Sequence, residues 1–179
     1  SLNPAIPDRS GNGQYEASFQ LFPTDWSVTT PRRNEYPPHR GIQFLHNHGE
    51  KHGDIRRDHI LIDRESGHYR WIDFDFNYWH RENIFGYDLF GLGNVLVFIV
   101  GMGDVLVQDL NRKNHPALTA LTDADLNIVF NHRVVNLKKV YPYIPQELNR
   151  VLLHFSKGAN RFYETTDQLL NDLESCKIG

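Results

Sequence analysis

The sequence of 179 residues predicts an α+β fold that is mainly helical and carries one small β-hairpin. Two short runs of β-forming residues, 60–62 and 69–74, flank a polar turn, which is the pattern of a hairpin. Between residues 88 and 100 apolar side chains occupy all faces of a predicted helix, as expected in the middle of a core. Near the C-terminus, apolar residues at helical spacing predict two further helices.

The composition is that of an ordinary folded domain. Hydrophobic residues make up 40% and charged residues 23%, which excludes a disordered or fibrous chain. The net charge is -3 and like charges occur in pairs at most, so we expect no binding to nucleic acid or to an anionic membrane. A single cysteine, Cys176, cannot form an intrachain disulfide and favours a reducing, cytoplasmic compartment.

The apolar stretch 89–100 is too short to cross a bilayer, and no signal peptide opens the chain, so we expect no transmembrane segment. The only methionine is Met102, and Ser1 is not a natural start. We therefore expect a chain that has been trimmed or processed, or that lacks an upstream portion.

Each element follows from local signals. Residues 1–38 are rich in proline and glycine and predict an irregular segment. The stretch 39–48 resembles the end of a helix, with Ile42, Phe44 and Leu45 as its apolar positions and Gly49 at its C-terminus. The hairpin comes next, and the buried helix follows it.

The second half is less regular until its end. Residues 101–142 are mixed, with helix-like patches at 105–110 and 123–130. Pro145 predicts the start of a helix of about three turns. The apolar face of that helix would hold Leu148, Val151, Leu152 and Phe155. Thr165, Thr166 and Asp167 are N-cap candidates for a last helix, whose inward residues would be Leu169, Leu170 and Leu173.

Two aspartates flank the predicted hairpin. Asp54 lies just before it and Asp73 at its exit, and a hairpin returns its ends to one place. Two carboxylates in one cleft suit phosphoryl transfer, where one orients a nucleophilic hydroxyl and the other holds magnesium. The alternative is that both are loop residues that cap turns.

Four segments in order resemble the large lobe of the protein-kinase-like superfamily. Residues 52–59 read H-G-D-I-R-R-D-H, where kinases have H-R-D-L-x-x-x-N, and residues 73–75 read D-F-D, where kinases have D-F-G. Residues 41–49 resemble the helix before the catalytic loop, residues 86–96 the central helix, and residues 144–173 the closing helix pair. The resemblance covers 39–174, dividing the chain into an irregular segment, 1–38, and a kinase-like large lobe, 39–179. Lipopolysaccharide core sugar kinases, aminoglycoside-type phosphotransferases and Ser/Thr protein kinases share these motifs.

The resemblance implies an ATP- and Mg²⁺-dependent transferase and a role for each matching residue. Asp54 would be the catalytic aspartate, and Arg56 would approach the transferred phosphate. Asp73 would bind the metal and, through it, the nucleotide. His59 stands where kinases have a second metal-binding asparagine and would contact metal or phosphate, although magnesium prefers oxygen.

The remaining matches carry weaker implications. Asp75 stands in the place of a glycine, and is either a second metal carboxylate or a turn residue. His52, Asp88 and Arg161 would be structural. Asp88 would brace the catalytic loop.

Departures from the kinase motifs bear on which molecule would accept the phosphate. Gly53 replaces the arginine that reads a phosphorylated activation loop, and only 15 positions separate Asp73 from Asp88. No A-P-E motif is present. A small-molecule or glycan hydroxyl is therefore favoured as acceptor, with a Ser/Thr protein substrate as the alternative.

The N-terminal lobe of a kinase is absent or incomplete in this sequence, because the first lysine is Lys51, already beside the catalytic loop. Three explanations compete: the lobe belongs upstream, a partner completes the cleft, or the chain is a pseudokinase that serves as a binding scaffold. A further alternative is a metal enzyme, since histidines and carboxylates crowd 46–54. Its candidate ligands are His46, His48, Glu50, His52 and Asp54.

Overall fold

The computed structural model describes residues 38–63, 65, 69–77 and 82–176. Within these residues the fold is α+β, as predicted, with five α-helices and one antiparallel sheet of two strands. The predicted irregular segment 1–38 lies outside them except for Pro38, as does most of the predicted turn at 64–68. The elements are α1 (Pro38–Asn47), β1 (Ile60–Ile62), β2 (Tyr69–Trp71), α2 (Gly86–Val100), α3 (Val107–Arg112), α4 (Gln146–Leu153) and α5 (Thr166–Ser175).

Helix α1 confirms the helix predicted before the loop. Ile42 is fully buried, whereas Phe44 is 62% exposed and lies on the outer face. The helix ends before Gly49, whose φ of 76° lies in the left-handed region that glycine adopts at a helix C-terminus. The helix packs against β2 and α5.

The second strand of the hairpin is shorter than the sequence predicted. In the antiparallel pair, Ile60 lies opposite Trp71 and Leu61 opposite Arg70. The second run was predicted to continue to residue 74, but its strand ends at Trp71, because Arg57–His59, the residues before β1, form a 3₁₀ turn instead of a longer strand. The Trp71 face of the hairpin lies against α1, and Leu61 points to the other face, where it is 49% exposed.

Helix α2 confirms the predicted central helix and begins two residues earlier, at Gly86. Its buried residues form the middle of the core, with contributions from the segment 134–144 and from α4 and α5. The core residues of α2 include Leu89, Leu92, Val95, Leu96 and Ile99. None of the described helices is both long and apolar enough to cross a membrane.

The region between α2 and α4 confirms one predicted patch and corrects the other. Helix α3 overlaps the patch at 105–110. The helix expected at 123–130 is wrong: only a 3₁₀ turn, Asp123–Asp125, forms there. The side chain of Asn127 accepts hydrogen bonds from the backbone N–H groups of Val129 and Phe130, so it replaces the bonds of a helix.

The two C-terminal helices are present as predicted. Helix α4 follows Pro145 and has eight residues, nearer two turns than three. All four predicted apolar residues are buried, but Phe155 lies beyond the helix, which ends at Leu153. Helix α5 is capped by Thr165, whose hydroxyl accepts a hydrogen bond from the backbone N–H of Gln168 at 3.2 Å. Its three predicted inward leucines are buried.

Candidate functional site

The loop between α1 and β1 is fastened to the first turn of α2 by Asp88. The Asp88 carboxylate is 1% exposed and accepts hydrogen bonds from the backbone N–H groups of His52 and Gly53, each at 2.7 Å. His46 Nε2 lies 3.0 Å from the same carboxylate, and because a carboxylate accepts only, Nε2 is the donor. Three donors from α1 and the loop therefore converge on one buried anion.

Helix α2 touches the loop a second time at Gly91. A Cβ atom at this position would lie 2.6 Å from Cβ of Ile55 and 2.7 Å from its carbonyl oxygen. The loop rests directly on the helix backbone, which only glycine permits.

His52 belongs to this loop, and its side chain is fully buried. Its ring stacks on Phe74 with the centroids 4.3 Å apart and meets the edge of Trp71 at 5.1 Å. Its Nδ1 accepts a hydrogen bond from the backbone N–H of Asp54 at 3.3 Å. Burial lowers the pKa of His52, so the neutral ring is favoured in this position.

The two predicted site carboxylates lie on either side of His59. Nδ1 of His59 is 2.9 Å from the carbonyl oxygen of Asp54 and 3.4 Å from its Oδ2, while Nε2 is 3.7 Å from Oδ2 of Asp73. Because a carbonyl only accepts, Nδ1 carries a proton, and Nε2 is the ring atom that faces Asp73. The side chain of Asp54 is 31% exposed and that of Asp73 is 69% exposed, so both reach solvent. The hairpin thus brings residues 19 positions apart to one imidazole.

Arg56 pairs with Asp58 inside the loop. Its guanidinium makes two bonds to that carboxylate, of 2.5 and 3.2 Å, on the exposed surface. The hydrogen bond raises the pKa of Arg56 and lowers the pKa of Asp58. An approach of Arg56 to a phosphate stays a prediction.

Two other predicted residues have defined surroundings. The Asp75 carboxylate accepts a hydrogen bond from the backbone N–H of Asn77 at 2.9 Å, which is the contact of a turn residue, and its metal role stays a prediction. Arg161 is exposed, and its carbonyl accepts a hydrogen bond from Nδ1 of His154 at 2.9 Å. The structural role predicted for Arg161 is not tested by this contact.

The histidines of the alternative metal cluster have separate partners. His46 bonds to Asp88, His48 to the carbonyl of Phe44, and His52 to the backbone of Asp54. Across the part of the chain that the structure describes, no group of three or more His, Cys, Asp or Glu side chains is arranged to hold a metal ion. The cluster that the sequence suggested is therefore not assembled as a ligand set.

Sequence reasoning missed Lys51. Its side chain is only 6% exposed and donates a hydrogen bond of 2.7 Å from Nζ to the carbonyl oxygen of Asp75. A lysine beside a histidine and a glycine normally indicates a solvated loop, so no signal in the sequence could have found this contact.

Comparisons with known proteins give one partial likeness. No family model and no solved structure matches the chain. The 2-5A-dependent ribonuclease of Mus musculus is 32% identical over 84 residues, which are 46% of this chain and 11% of that protein. The chain therefore spans a small part of this relative's length. The likeness covers too little of either protein to assign this chain to a family.

Proposed function

We propose that the chain forms the large lobe of a kinase-like phosphotransferase that uses ATP and Mg²⁺ to phosphorylate a hydroxyl group. The observation that carries this proposal is the placement of Asp54 and Asp73 on opposite sides of His59, beside a loop fastened by Asp88. Phosphoryl transfer depends on positioning and on charge stabilisation. A rigid loop that presents two partly exposed carboxylates supplies the positioning.

Asp54 acts on the acceptor. Its carboxylate orients the acceptor hydroxyl and accepts its proton, and Oδ2 of that carboxylate lies 3.4 Å from Nδ1 of His59. Its backbone is fixed at both ends, by the N–H bond to His52 and by the carbonyl bond to His59.

Asp73 is the residue that would hold Mg²⁺. Magnesium is bound through one or two carboxylates together with phosphate oxygens and water, so an exposed carboxylate fits it without a cage of protein ligands. When bound, the ion neutralises charge on the phosphates. His59 Nε2 offers nitrogen, which magnesium binds less readily than oxygen.

Exposed apolar side chains follow both predicted site residues in the chain. Leu61, two residues after His59, is exposed on the outer face of the hairpin, and Phe74 and Phe76 are exposed in the segment after Asp73. We propose that a nucleobase lies on Leu61 and that a second lobe or a partner covers the remaining apolar surface.

The acceptor is a small molecule or a glycan rather than a protein. The 15 positions between Asp73 and Asp88 leave little chain on which to lay out a peptide. A Ser/Thr protein acceptor is the alternative within the same chemistry.

A pseudokinase scaffold is the second candidate, and it is favoured by His59, which places a nitrogen beside Asp73 where kinases have a metal-binding asparagine. Such a scaffold keeps the fold for binding a partner and transfers no phosphate.

The deciding experiment combines thermal unfolding in Mg·ATP with release of ADP in the presence of sugar and glycan acceptors. Ligand at a hundred times its Kd stabilises a protein by about 2.7 kcal/mol. We expect Asp73→Asn to lose the magnesium-dependent stabilisation, and Asp54→Asn to retain it but lose turnover. Asp109→Asn, on the surface of α3, is the matched control. The absence of both magnesium-dependent stabilisation and turnover in the unaltered protein would refute the phosphotransferase and favour the scaffold, whereas turnover would exclude the scaffold.

A further inference from the structure

The backbone at Asp73 adopts a conformation that needs support. Its φ is 57°, in the left-handed region, which residues other than glycine adopt less readily. This backbone angle sets the direction of the carboxylate assigned to the metal. Contacts to the chain that follows must hold it.

Those contacts meet at the peptide groups of Asp75. Its backbone N–H donates to the carbonyl oxygen of His52 at 2.8 Å, and its own carbonyl accepts from Nζ of Lys51 at 2.7 Å. Both partners belong to the loop that carries Asp54. The residue two positions beyond Asp73 is therefore bonded to the catalytic loop through both its donor and its acceptor.

Gly53 lets the two backbones approach. A Cβ atom at this position would lie 1.9 Å from the carbonyl oxygen of Asp75 and 2.8 Å from its carbonyl carbon. The obstacle is backbone, which cannot rotate aside as a flexible side chain would. The φ of Gly53, 84°, also lies in the left-handed region.

The Lys51 side chain is buried, and burying its ammonium group costs hydration free energy. A buried ammonium must be hydrogen-bonded to offset its lost hydration, and the Asp75 carbonyl is one of its partners. A group held at such cost fixes its partner firmly.

We propose that Lys51 is a positioning residue for Asp73. Its hydrogen bond to the Asp75 carbonyl, with the close approach that Gly53 permits, holds the segment after Asp73 against the catalytic loop and so fixes the metal-binding carboxylate. We call this contact of Lys51 and Gly53 with Asp75 the latch. This proposal rests on the proposed function of Asp73.

Two measurements on Lys51→Met test the latch, and Lys113→Met, an exposed lysine after α3, is the control. Hydrogen exchange reports on the Asp75 amide, and titration with ADP in the presence and absence of Mg²⁺ reports on Asp73. We expect at least tenfold faster exchange in the peptide containing Asp75, with α2 unchanged. We also expect at least fivefold weaker Mg·ADP binding with unchanged affinity for metal-free ADP, a split that a general loss of stability would not produce.

A pair of glycine variants tests the close approach without touching Lys51. Gly53→Ala and Gly49→Ala introduce the same left-handed strain, but a Cβ at Gly49 meets nothing within 4 Å. We expect Gly53→Ala alone to reproduce the exchange and Mg·ADP effects. If Lys51→Met does not fold, this pair decides the proposal.

The outcomes separate the latch from the proposed function. Unchanged exchange at Asp75 in both Lys51→Met and Gly53→Ala overturns the latch, whatever the nucleotide result. Faster exchange in a protein that never binds Mg·ADP supports the latch as a structural contact and overturns both its role toward a metal and the proposed function.

Discussion

Asp88 and Gly53 are joined by a buried hydrogen bond of 2.7 Å from the Gly53 backbone N–H to the Asp88 carboxylate. Together with the bonds from His52 and His46, it makes the start of α2 the anchor of the loop that carries Asp54. The central helix therefore supports the core and positions the site through one side chain.

Replacing Asp88 tests this anchor. Asp88→Ala leaves two backbone donors and the His46 N–H without an acceptor in a buried place, and we expect a loss of about 3–5 kcal/mol in the free energy of unfolding. Urea unfolding measures it. Asp109→Ala, in an exposed pair with Arg112, should change stability by less than about 0.5 kcal/mol. Equal losses in the two variants would contradict the anchor.

The sequence predicted the elements whose signals are local. The apolar periodicity of α4 and α5, the all-round apolar stretch of α2 and the capping threonine of α5 describe the chain independently of its partners. The convergence of Asp54 and Asp73 was also predictable, because a hairpin joins them. The turn at 123–130 was not, because the Asn127 side chain accepts the backbone N–H groups of Val129 and Phe130, which a helix would bond to its own carbonyls.

What the sequence did not reveal are contacts between distant segments. The bond between Lys51 and Asp75 and the approach of Gly91 to Ile55 depend on how the loop is seated on α2. No local pattern distinguishes these residues from an exposed lysine or a glycine inside a helix, so such contacts become visible only when the backbone is assembled.

Gly91→Ala tests the seating of the loop on α2. The added methyl would overlap Cβ and the carbonyl oxygen of Ile55, so we expect a loss of about 1–3 kcal/mol despite the better helix propensity of alanine. Gly86→Ala in the same helix is the control, since its nearest neighbour would be an ordinary 3.7 Å away. Thermal unfolding of both variants compares them. Two equally stable variants would show that the loop yields to the methyl group at little cost.

His59→Phe tests the bridge between the two carboxylates. Phenylalanine keeps a ring in the same space but removes the donor to Asp54 and the nitrogen that faces Asp73. On the proposed function we expect about tenfold lower turnover, the effect of some 1.4 kcal/mol on a transition state. His48→Phe, on the exposed end of α1, should leave turnover unchanged. ADP release under saturating acceptor measures both, and full turnover in His59→Phe would remove this residue from the site.

Asp125 gives the fold a defined response to acid. Burial alone would raise its pKa, but hydrogen bonds from Lys139, Thr122 and Asn136 outweigh burial, and the net pKa lies below the ordinary 3.8. The folded state therefore releases the proton at lower pH than the unfolded state. The stability this carboxylate contributes is complete above pH 3.8 and is lost as the pH falls through the lower folded pKa.

Asp125→Asn should consequently lower the free energy of unfolding by about 1–3 kcal/mol at neutral pH, and the difference from the unaltered protein should shrink as the pH falls below 3.8. Urea unfolding from neutral to acidic pH measures the difference. Asp123→Asn, in the same turn but paired with Lys157 at the surface, should stay within about 0.5 kcal/mol at every pH. A difference for Asp125→Asn that is constant with pH would mean that its hydrogen bonds do not depend on the charge of the carboxylate.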